Sequence, residues 1–148
     1  MQWLRNWRSF PREQKFLCFE AFLVVVLIRF SLWLLPFRRI LGFTERYLAR
    51  NFGKTPTGLK PLTIAQTVSK AARRVPKASC LTQAFATRLL LGRRGISSTI
   101  CYGAKQVSGK FEAHAWVKVG SETIIGKHLP QEFSNFKPSA EHFSRLPD

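Results

Sequence analysis

The chain reads as an α+β domain, with helices first and an antiparallel sheet last. Three observations say so. As far as Arg93 the apolar residues recur at helical spacing. Beyond Gly95 they alternate with polar residues in short runs separated by turn signals. The length of 148 residues is enough for one domain to bury a core without disulfides or metal ions. Residues 1–148 are therefore expected to form a single domain, with a helical part over about 1–60 and a core of helix packed on sheet over about 61–148.

The first element is the most apolar. Phe16 to Phe37 reads FLCFEAFLVVVLIRFSLWLLPF, about the length that crosses a bilayer. Glu20 and Arg29 interrupt it, and an ionised side chain at mid-bilayer costs about 2.5–3.5 kcal/mol on insertion scales. The expectation is a buried core helix, capped by Ser9, with Pro11 in its first turn. Pro36 stops it, because proline lacks an amide hydrogen and disfavours helix in the residue before it. Any part that the domain leaves uncovered would be a face for a membrane surface or a partner. A signal peptide is not expected, since the small-residue stretch "ASC" lies too far downstream.

A second helix is expected from about Phe37 to Arg50, followed by the turn-rich link NFGKTPTGLKP. Thr63, with Gln66 three residues on, has the capping-box pattern, and Ile64, Val68, Ala71 and Val75 mark one face of a third helix. A fourth helix starts after Ser79, an N-cap residue type, carries Leu81, Phe85, Leu89 and Leu90 on one face, and ends in GRRG at Gly92 or Gly95. Strands follow in SSTICYGA, FEAHAWVKV and ETIIG, with QVSGK as the first turn.

Charge bounds the partners. The 24 Lys and Arg outnumber eight acids, for a net charge of +16, and the single aspartate is Asp148. An anionic partner fits such a surface. Nucleic acid is not expected, because the basic residues are spread and no zinc-finger, RNA-recognition or helix-turn-helix signature accompanies them. The three cysteines, Cys18, Cys80 and Cys101, are an odd number without CxxC spacing, which argues against a disulfide framework and a four-ligand zinc site and favours a reducing, cytoplasmic compartment. A Cys80, Cys101, His114 metal site lacks a fourth ligand, so no metal is expected.

Cys80 falls in the first turn of the fourth helix, where unpaired amides and the positive end of the helix dipole favour a thiolate. The same position also suits a cysteine buried as a small hydrophobe. In FEAHAWVKV, Phe111, Ala113, Ala115, Val117 and Val119 point one way, toward a core. Glu112, His114, Trp116 and Lys118 point the other, toward a cleft. A strand crossing the head of the cysteine helix would bring His114 within reach as a base. Trp116 would wall that cleft, although packing alone explains it equally well. His128 and His142, in or beside the C-terminal tail, read as surface or packing residues, and Cys101 as core.

Four segments together carry a resemblance: CLTQAFATRLLLGRRGI from Cys80, YGAK from Tyr102 to Lys105, FEAHAWVKVG with IIG ending at Gly126, and LLPFRRI behind a hydrophobic helix. They resemble the leader peptidases of lasso peptide biosynthesis, the protease half of the lasso B protein, whose core is a transglutaminase-like, papain-like cysteine protease. The resemblance covers nearly the whole chain, and its most specific feature is the separation of 34 residues between Cys80 and His114 of AHAW. It implies that Cys80 attacks the last leader-peptide carbonyl and His114 relays protons, freeing the core peptide with no cofactor. The implied partners are the precursor peptide, a separate leader-recognition protein of the PqqD-like type, and an asparagine-synthetase-like lasso cyclase that closes the macrolactam with ATP. The recognition protein is expected to be separate because no such module precedes the protease here. The chain itself has no P-loop. The alternatives are a transglutaminase-like acyl transferase or amidase using the same thioester, or a non-catalytic peptide-binding module of the same complex.

A catalytic histidine has its second ring nitrogen held by another group, and the family often has aspartate on the strand after AHAW. Here that position is Gly126. A three-residue turn around Gly120 and Ser121 would set residue 126 opposite His114 and Glu122 opposite Lys118. Glycine offers no side chain. The orienting group is therefore expected to be a backbone carbonyl, an ordered water or a tail residue such as Asn135. Gly126→Asp is expected to be tolerated and Glu122→Ala to leave cleavage nearly intact.

Overall fold

The computed structural model describes residues 11–107 and 110–126, and side chains at these positions except 104–112. Among the described residues four helices, α1 (Arg12–Leu34), α2 (Phe37–Asn51), α3 (Pro61–Ala72) and α4 (Cys80–Arg93), precede three strands, β1 (Thr99–Val107), β2 (Lys110–Val119) and β3 (Glu122–Ile125). The strands form one antiparallel sheet in the order β1-β2-β3. The α+β expectation holds, with α4 packed on β1 and β2 and α3 on β3.

Helix α4 is the hub. It contacts α1, α2, α3, β1 and β2. The sequence pattern gives it one apolar face, yet Thr82, Ala84, Phe85, Ala86, Thr87 and the run from Leu89 to Gly92 are all buried. With neighbours on every side, the small and hydroxylated positions are enclosed along with the large ones. Gly92 is where α2 comes closest: a Cβ there would lie 2.4 Å from Leu48 Cδ2. Phe37, opening α2, joins α4 to the sheet, its ring 5.8 Å from Phe85 and 5.9 Å from Tyr102 in an edge-on contact.

The proline and cap rules work unevenly. Leu35, before Pro36, is extended (φ −121°, ψ 144°), and α1 ends there. The N-cap of α1 is Pro11 itself, with no side-chain cap, so Pro11 is not inside the first turn as expected; Ser9 lies outside the described residues. The capping box at Thr63 is also corrected. Pro61 occupies the first turn of α3, where its preset φ suits the helix, so α3 starts two residues before Thr63, which instead accepts a hydrogen bond from Thr67 Oγ1 at 2.8 Å. Ile64, Val68 and Ala71 are buried as their spacing predicts.

The expectation of a core helix for α1 holds for half of it. Leu17, Ala21, Val25 and Ile28 form a buried stripe against α3 and α4, and Glu20 is buried among them. Glu20 is not stranded there. Its carboxylate accepts hydrogen bonds from Arg93 Nη1 and, at 2.5 Å, from Arg94 Nη2, and Arg94 Nη1 donates to the Leu90 carbonyl at 3.0 Å. Removing the charges from water is expensive, and the two guanidinium partners offset it. The other side of α1 is apolar and open: Phe19, Phe30 and Trp33 are 66%, 56% and 71% exposed. By length and composition alone α1 is able to cross a membrane, although 28% of its most apolar window is buried in the domain.

Candidate active site

The cysteine is aimed by the turn before it. In Val75-Pro76-Lys77-Ala78 the Ala78 amide donates to the Val75 carbonyl at 3.2 Å, and Lys77 has φ 57°. Proline followed by a residue of positive φ is the arrangement of a type II turn, in which glycine is the usual choice where Lys77 stands. Ser79 then adopts extended geometry, and its Oγ accepts from the Thr82 amide at 3.3 Å, as the cap rule predicts. The cap satisfies one donor at the open end of α4 and leaves the Cys80 and Leu81 amides without an acceptor inside the helix. Ser69 of α3 donates to Gln83 Oε1 at 3.2 Å, tying this first turn to its neighbour.

Cys80 is half-buried, and its thiol donates to the Ala113 carbonyl oxygen with an S···O distance of 3.9 Å. That carbonyl belongs to the peptide unit joining Ala113 to His114. The sulfur therefore lies against β2 within one residue of His114, which is itself half-buried and stands opposite Gly103 in the ladder. Among the described residues β3 pairs with β2 only from Val117 to Val119, so Ala113 and His114 lie on a stretch of β2 that extends past β3. The head of α4 meets that stretch. No three metal-ligating side chains are grouped among the described residues.

Ala115 and Val117 are buried with the helices, as expected for their face of β2, but Ala113, expected on that face as core, is exposed. Trp116 does not wall an open cleft. It is buried against Cys101, its cross-strand partner, and the two form a small cluster separate from the main core. Cys101 is thus core, but in that small cluster rather than in the larger one that α4 joins. Burial pushes its thiol upward from the ordinary cysteine range, and Cys18 on α1 is raised in the same way, with Lys70 and Arg74 pulling against it.

The expected β2–β3 register is overturned. Glu122 pairs with Val119, not Lys118, and Thr123 pairs with Lys118. The turn has two residues rather than three, and a bulge between Val117 and Lys118 then shifts the pairing again, setting Ile125 opposite Val117. Gly126 is therefore not opposite His114. It also has φ 83°, a conformation that resists a side chain, so Gly126→Asp is expected to strain the turn rather than be tolerated. Asn135, His128 and His142 lie outside the described residues.

The sequence pattern did not link Glu20 to Arg93 and Arg94. The available signal was a lone acid inside an apolar helix together with two adjacent arginines at the end of another. Tyr102 opens the YGAK segment. It is packed against Phe37, and burial pushes its hydroxyl up to about 12, with nearby Arg88 opposing the shift.

A family model described as the transglutaminase-like superfamily matches residues 23–141, which include Cys80 and His114. No curated protein and no solved structure matches the chain.

Proposed function

Because the chain belongs to the transglutaminase-like superfamily, whose members are typically cysteine peptidases or acyl transferases, we propose that it is a cysteine peptidase that removes the leader from a ribosomally made lasso precursor peptide. The observation that carries the reading is the seating of Cys80, at the capped head of α4, against the Ala113–His114 peptide unit. The AHAW and YGAK segments support the finer assignment to leader removal.

In this reading His114 takes the Cys80 proton, and the thiolate adds to the last leader carbonyl. The first-turn amides of Cys80 and Leu81 face the oxygen as it becomes negative. The imidazolium returns its proton to the departing amine, which is the new N-terminus of the core peptide. Water, deprotonated by His114, then cleaves the thioester, releasing the leader acid and regenerating the thiol. The freed amine is what a separate ATP-dependent cyclase consumes in closing the macrolactam, and a separate leader-recognition protein delivers the precursor.

The test is mass spectrometry of the precursor after incubation with the protein and the leader-recognition protein. The expected products are leader acid and free core peptide, absent with Cys80→Ala and His114→Ala, while Cys101→Ala retains activity. An amide or ester of the leader with an added amine or alcohol, in place of the acid, would assign acyl transfer instead. Cleavage at the wild-type rate by Cys80→Ala would remove the site altogether.

A further inference from the structure

The open side of α1 is too large and too apolar to be incidental surface. Phe16, Phe19, Leu27, Phe30, Trp33 and Leu34 are all exposed along a helix about 35 Å long. A groove of about 190 Å³ between α1 and α2 continues this surface, lined in part by Leu27, Leu35 and Phe43, each of them also exposed. On α2, Arg39, Phe43, Arg46 and Arg50 follow one another at spacings of four, three and four residues, which sets them on one side of the helix, and all four are exposed. A row of arginines thus borders the apolar groove. The three acids nearest in sequence lie elsewhere: Glu45 binds Arg88, Glu20 is buried with Arg93 and Arg94, and Glu13 falls on the wheel beside the buried stripe, near Glu20.

We infer that α1 lies in the plane of an anionic lipid surface, with its open side in the acyl layer and the arginine row of α2 among the headgroups. Charge complementarity decides the occupant. A second copy of this chain, at net charge +16, would set one arginine row against another, whereas anionic headgroups match it. The buried stripe decides the orientation. Leu17, Glu20, Ala21, Val25 and Ile28 are packed along the length of α1 against α3 and α4, and Glu20 is clamped to Arg93 and Arg94. Crossing the bilayer would strip this packing or carry the ion pairs into hydrocarbon, while lying flat keeps both. Directly upstream, the sequence MQWLRNWRSF alternates tryptophan with arginine, the residue types that anchor at a lipid interface.

The full chain is tested by co-sedimentation with vesicles of phosphatidylcholine, with and without phosphatidylglycerol. Binding is expected to be at least about tenfold tighter with phosphatidylglycerol and to weaken as salt rises. Arg39→Glu with Arg46→Glu should abolish that preference. Phe19→Ser, Phe30→Ser and Trp33→Ser combined should weaken binding to both vesicles at least about tenfold while leaving the thermal melt in place, since all three are exposed. Failure to bind either vesicle, or wild-type binding by the triple serine variant, overturns the proposal. For the orientation, Arg12→Cys and Arg38→Cys are labelled with a membrane-impermeant maleimide added outside the vesicles and read by mass spectrometry. Both should label; protection of either one means that α1 spans, which also overturns it.

Discussion

Helices α1 and α4 both lack a polar side, and the fold treats them in opposite ways. α4 stands between three helices and the sheet, so that even Thr82 and Thr87 are fully buried. α1 lies at the edge, buries one stripe, and leaves aromatic side chains in the open. Apolar composition therefore says that a helix wants cover, and only its place in the fold says whether the chain itself supplies it. The two are joined by the clamp from Glu20 to Arg93 and Arg94, which fixes the edge helix to the end of the central one.

The clamp gives the largest expected effect. Glu20→Ala leaves Arg94, only 8% exposed, without its carboxylate, and should lower stability by about 3–5 kcal/mol in denaturant unfolding. A loss below about 1 kcal/mol would mean that the edge helix is held by its apolar stripe alone. The contrast between the helices is tested by truncation. Leu90→Ala in α4 should cost about 2–5 kcal/mol, whereas Phe30→Ala on the open side of α1 should change stability by about 0.5 kcal/mol or less. Equal losses would show that something in the chain covers Phe30 in solution.

Cysteine labelling compares the same two helices by chemistry. Burial raises the thiols of Cys18 and Cys101, so at neutral pH both are held as slow-reacting thiols. Iodoacetamide at neutral pH should modify Cys80 at least about tenfold faster than either, a difference of about 1.4 kcal/mol in barrier. Raising the pH above the ordinary cysteine value should narrow the gap. Peptide mapping that finds Cys18 modified first would break the assignment of Cys80 as the reactive thiol. The smallest effect concerns the turn that aims Cys80. Lys77→Gly relieves the positive φ and should raise stability by up to about 1 kcal/mol, with no gain in cleavage rate.

Much of this arrangement was legible in the sequence because it is local. Ser79 before an apolar periodic run places Cys80 on the first turn of α4, and the alternation in FEAHAWVKV sends Ala115 and Val117 to the core. What was not legible depends on distant partners or on single-residue slips. The register of β3 turned on a two-residue turn and one bulge, features that no hydrophobic pattern encodes when Ile124 and Ile125 are both buried. Trp116 looked like a cleft residue because alternation names a face without saying what covers it. Glu20 looked like an interruption because its partners lie 73 and 74 positions away.

That separation has a consequence for how the chain is made. Arg94 joins the growing chain 74 residues after Glu20, and at about 5–20 residues per second the interval is roughly 4–15 s. For most of it, once Leu34 has been added, α1 is complete while α4, which must cover its inner stripe, is not. A helix that the finished domain leaves half uncovered is presented by the nascent chain bare on both sides. Whatever apolar surface or chaperone stands nearest the ribosome therefore meets α1 before α4 can cover it.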